Sequence, residues 1–92
     1  MTADMLYNFP RARFVDENEI YKQLQHIRSE VQEAEREVDQ PNIYLIAGEV
    51  MDIYHSAETA LRILEEKHGV NIRDLMFKVA AKNDARGYYD AN

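Results

Sequence analysis

The segment from Pro41 to Lys67 is apolar around most of a helical circumference, and no other feature constrains the chain as strongly. Ile43, Leu45, Ile46, Val50, Ile53, Tyr54, Ala57, Leu61 and Leu64 lie within it. At about 100° per residue they sweep an arc of more than half the circle. A helix of that kind must be contacted from several sides, so any fold has to place it at the centre. The side carrying His55, Glu58, Thr59, Arg62 and Glu66 is the expected solvated face. Pro41 suits a first helical position, and Gly69 after His68 suits a terminator.

Two further helices are expected beside it. Ile20, Leu24, Ile27, Val31, Ala34 and Val38 recur at steps of four and three, which predicts a helix from Asp16 to Asp39 with a single narrow apolar stripe. Asp16 and Glu19 have the spacing of a capping box. A last helix is predicted over Ile72 to Ala85, with Asn71 as N-cap and Gly87 beyond its end. No segment reads as a strand. The expectation is an all-α fold, a small helical bundle of about three main helices completed by oligomerisation. Residues 1–15 form an irregular arm whose Leu6, Tyr7, Phe9 and Phe14 pack over a helix or a partner chain. Residues 16–89 form the helical domain and 90–92 a tail.

Charge narrows the function. A net charge of −6 disfavours a nucleic acid or an anionic membrane as partner. With no cysteine, thiolate metal sites and cysteine nucleophiles are excluded. No apolar run reaches membrane-span length, and MTADMLYNFPRARF lacks the apolar stretch of a secretory signal, so a cytoplasmic protein is expected.

Two acidic pairs stand on successive helices, Glu30-Val31-Gln32-Glu33 and Glu49-Val50-Met51-Asp52. Residues three apart share a helix face, so two such helices side by side aim four carboxylates at one region. With 17 acidic residues in the chain, pairs at this spacing arise by chance, and their number carries no weight. Placement carries more, because Glu49 falls inside the apolar arc and Asp52 at its edge. A buried carboxylate needs a cation. Two readings stand at this point: a divalent-metal cluster, or structural ion pairs with Arg28, Arg36 or Lys82. Asp52-x-x-His55 also has the carboxylate–histidine spacing of di-iron bundles, but it occurs once and His55 is expected on the solvated side.

E-x-x-E followed by E-x-x-D on the next helix, together with Lys82-Asn83-Asp84-Ala85-Arg86-Gly87-Tyr88 after the third helix, resembles the MazG-like all-α nucleotide pyrophosphohydrolases. The resemblance covers roughly residues 17–89. The chain is short for that family. The resemblance implies a Mg²⁺-dependent nucleotide pyrophosphohydrolase that cleaves a nucleoside triphosphate to the monophosphate and pyrophosphate, with Mn²⁺ as a substitute ion. It implies Glu30, Glu33, Glu49 and Asp52 as metal ligands, Glu33 also as general base, and Lys82 as a catalytic and phosphate-binding group. Asn83, Arg86 and Tyr88 join Lys82 in substrate binding, and the assembly is a homodimer or homotetramer. Phosphoribosyl-ATP is an alternative substrate, and a non-catalytic helical oligomerisation module is the alternative outside enzymology.

Overall fold

A computed structural model describes residues 6–90. The first five residues of the expected arm and the last two of the expected tail lie outside them. Four helices follow one another: α1 (Phe14–Glu17), α2 (Ile20–Arg36), α3 (Ile43–His68) and α4 (Ile72–Ala85). There is no strand among the described residues, and no helix is long and apolar enough to cross a membrane.

Local chemistry accounts for most boundaries. Asn42 and Asn71 cap α3 and α4, their side chains accepting the amides of Tyr44 and Asp74 at 2.9 Å. Gly69 ends α3 in the left-handed region at φ 70°, where a Cβ would be strained. The start of the first long helix differs from expectation. The chain makes one turn, α1, breaks at Asn18, and begins α2 only at Ile20. Asp16 caps nothing, because Arg11 holds its carboxylate at 2.7 Å. Glu19 is the N-cap residue of α2 but makes no side-chain capping bond.

α2 and α3 pack antiparallel. The buried Gln23 amide, 1% exposed, donates to Ser56 O at 3.1 Å and accepts from Asn18. Further along, Glu30 shares a cavity with Asp52. The buried apolar residues are few: Val15, Ala34, Ala60, Ile63 and Ile72.

The expected solvated face of α3 is the largest correction. Glu58 and Thr59 are 5% and 4% exposed, and His55 and Arg62 are half-buried; Glu66 alone of that set is exposed. The N-terminal arm covers them. Its extended backbone has no helix or sheet partner, so its amides need acceptors. Glu58 supplies both, taking Asn8 N at 2.8 Å and Phe9 N at 2.9 Å. Arg62 donates to Phe9 O and lies over the Tyr7 ring, while the Phe9 ring stacks on His55. The expectation that Tyr7 and Phe9 pack over a helix is therefore met within one chain.

Candidate functional site

The paired acids meet where α2 faces α3. Glu30 and Glu49 are half-buried, and Glu33 and Asp52 are exposed at the rim. Glu49 is held above the ordinary carboxylate range, first by loss of solvation and then by the negative charges of Glu33, Asp52, Glu37 and Glu30. That list places four further carboxylates within electrostatic reach of Glu49. Among the described residues none of them pairs with a lysine or arginine, so the structural ion pairs with Arg28, Arg36 or Lys82 do not form.

Beside the cluster lies a small cavity of about 150 Å³. Its walls include Gln23, His26 and Glu30 from α2 and Asp52, His55 and Thr59 from α3, with Ala12 and Phe14 closing it. Two sealed polar atoms have no partner: Oε1 of Glu30 and Nε2 of His55. The other Glu30 oxygen lies 3.4 Å from His26 Nε2. An unsatisfied buried carboxylate oxygen beside an excess of negative charge is a strained arrangement, and a cation relieves both defects.

The donor set suits a hard divalent ion, which takes carboxylate oxygens, water and phosphate. As the side chains stand, no three Asp, Glu or His among the described residues converge closely enough to hold a metal ion.

Spacing gave Glu30, Glu33, Glu49 and Asp52, and the structure places the other three within electrostatic reach of Glu49 without their converging on one point. It adds Glu37, His26 and His55. The signal for two of these was present: His26, Glu30, Glu33 and Glu37 step by four, three and four along one stripe of α2. His55 was misplaced because the arm that buries it is invisible to periodicity.

The C-terminal group is not brought to the acids. Lys82 and Asn83 close α4, Arg86 lies 4.9 Å over the Tyr88 ring, and Tyr88 N donates to Asn83 O. None of them has a recorded bond to the carboxylates, and α4 packs only sparsely on the rest of the chain. Comparison with family models, with curated proteins and with solved structures returns no match. Function must be argued from these residues.

Proposed function

We propose that the chain is a Mg²⁺-dependent hydrolase that converts a nucleoside triphosphate to the monophosphate and pyrophosphate. The observation that carries this reading is the cluster of five carboxylates on two packed helices, none of them paired with a lysine or arginine among the described residues, with Glu49 resisting ionisation and one Glu30 oxygen sealed without a partner. The E-x-x-E and E-x-x-D pattern supports it by resemblance.

Glu30, Glu33, Glu49 and Asp52 would hold the ion. When bound, Mg²⁺, or Mn²⁺ in its place, neutralises phosphate charge and lowers the pKa of water. The carboxylates alone repel a triphosphate, so substrate binding and ion binding are inseparable here. In the reaction a water oxygen bonds to the α-phosphorus, the bond from that phosphorus to the bridging oxygen breaks, and pyrophosphate leaves with the electron pair. Glu33, exposed at the rim, is the carboxylate with freedom to take the water proton.

Lys82, Asn83 and Arg86 fit phosphate oxygens by their chemistry, and the Tyr88 ring offers a stacking surface for a base. Their support is chemical, since α4 stands clear of the acids. The same cluster would accept phosphoribosyl-ATP, whose scissile bond is of the same type.

The test is product analysis with a panel of ribo- and deoxyribonucleoside triphosphates and phosphoribosyl-ATP, with and without Mg²⁺. Equimolar monophosphate and pyrophosphate, formed only with the ion, is the expected result. Orthophosphate release, or no cleavage of any member, would overturn the reading.

A further inference from the structure

We propose that the cavity between α2 and α3 is a cation site with nitrogen as well as oxygen donors, in which His26, Glu30, Asp52 and His55 take a divalent first-row transition ion in preference to Mg²⁺. The inference rests on the proposed function in one respect, that the carboxylate cluster holds a divalent ion. It names the class of ion that the inner part of the cluster selects.

Helix spacing supplies the donors in pairs. His26 and Glu30 are four apart on α2, and Asp52 and His55 three apart on α3, so each pair shares a helix face. Packing sets the two pairs around one space, since all four residues line the cavity of about 150 Å³. No lysine or arginine lines it. Oε1 of Glu30 and Nε2 of His55, one from each helix, are buried with no hydrogen-bond partner. The other Glu30 oxygen lies 3.4 Å from Nε2 of His26.

A carboxylate oxygen and an imidazole nitrogen are each costly when buried without a partner. One water between them would satisfy both but leave the charges of Glu30 and Asp52 without a counter-charge. A divalent ion takes a lone pair from both atoms, and its two charges match the two carboxylates. Imidazole then decides between ions. Mg²⁺ takes oxygen ligands, whereas iron, nickel and zinc suit imidazole nitrogen.

The N-terminal segment backs both rings. Phe9 stacks on His55 with centroids 4.4 Å apart, and the Phe14 ring lies 6.2 Å from that of His26. A phenyl ring beside each imidazole restricts its orientation and its solvent, the kind of outer support on which metal-binding histidines depend. As the side chains stand, no three donors among the described residues meet at one point. The ion therefore has to draw the His26 ring inward, and a side chain that is 48% exposed has the room to turn.

The probe is Co²⁺, titrated into the full chain beside a separate Mg²⁺ titration. Calorimetry gives both affinities. Proton NMR of the Co²⁺ complex reads the ligands, because the N–H of an imidazole bound to Co²⁺ shifts far outside the ordinary spectrum. The account expects tighter binding of Co²⁺ than of Mg²⁺, with shifted N–H signals from two histidines. His26→Gln and His55→Gln, each checked for helical circular dichroism, should each remove one signal. Each should weaken Co²⁺ by at least about tenfold, the least that disturbing the support of a metal ligand costs, and leave the Mg²⁺ affinity unchanged. Bound Co²⁺ with no shifted imidazole signal, or with signals that both variants retain, overturns the inference and leaves the carboxylate reading standing. If neither Co²⁺ nor Mg²⁺ binds, both fall.

Discussion

Glu30 on α2 and Asp52 on α3 line one cavity, and Oε1 of Glu30 is buried without a hydrogen-bond donor. A fold that needed only a bundle would place an apolar or paired side chain at that position. Nearby, four further carboxylates act on Glu49, and among the described residues none of the five has a lysine or arginine partner; under the proposed function a bound cation offsets that cost.

Mg²⁺ should therefore stabilise the fold. An ion at ten times its Kd contributes about 1.4 kcal/mol by mass action. In a domain of this size that raises Tm by roughly 5–10 °C. Scanning calorimetry with and without Mg²⁺ checks this, and Glu30→Gln or Asp52→Asn should remove most of the gain. An equal rise in the variants would place the ion elsewhere.

Without a divalent ion, Glu49→Gln should be stabilising at neutral pH. The folded chain holds the Glu49 proton more tightly than the unfolded chain, whose ordinary value is 4.5. Ionisation thus weakens the fold as pH rises through and beyond that value, and below it the penalty is absent. Urea melts of both proteins from pH 3 to 8 should converge at the acid end and separate at the neutral end, on the order of the range where carboxylates titrate. With Mg²⁺ present the order should reverse, since the variant lacks a ligand.

Glu58→Ala should loosen the N-terminal arm. It removes the acceptor for Asn8 N and Phe9 N together. Stranding two partly buried amides costs about 2–4 kcal/mol. Chemical denaturation should show that loss, and hydrogen exchange should show the amides of the arm losing protection. A neutral effect would mean the arm is not docked as described.

Arg11 ties the arm to α1 and α3 through Asp16 and Glu66, each at 2.7 Å. Its guanidinium holds both carboxylates below their ordinary values of 3.8 and 4.5. That contribution is present above those values and fades as pH falls through and below them. The groups are exposed, so it is small and salt-sensitive. Arg11→Ala should destabilise slightly at neutral pH in low salt and have no effect at pH well below either value, read by thermal melts.

Much of the architecture was written in local residues. Asn42, Asn71 and Gly69 mark helix ends by chemistry that acts over three or four residues, and α4 runs over the range its spacing predicts. The central position of α3 is legible from its wide apolar arc, although one flank of that arc is bare within a single chain. What spacing could not show depends on contacts between distant segments. Asp16 looks like a cap until Arg11 engages it, and Glu58 looks solvated until residues 50 positions away bring their amides to it. In the site, i,i+3 pairs on adjacent packed helices put the four carboxylates in one neighbourhood, although they do not converge on one point. The resemblance puts Lys82 and Arg86 in the same constellation, but nothing in the packing of α4 carries them there.

The central claim is tested most directly by pyrophosphate release from nucleoside triphosphates at increasing Mg²⁺, wild type beside Glu49→Gln. The account predicts release that requires the ion, and a loss of at least about a hundredfold in a variant that keeps its helical signal, a magnitude expected for removing a group that stabilises charge in the transition state. Release that the variant retains at the wild-type rate and with the same Mg²⁺ dependence would contradict it and leave the carboxylate cluster without a catalytic part.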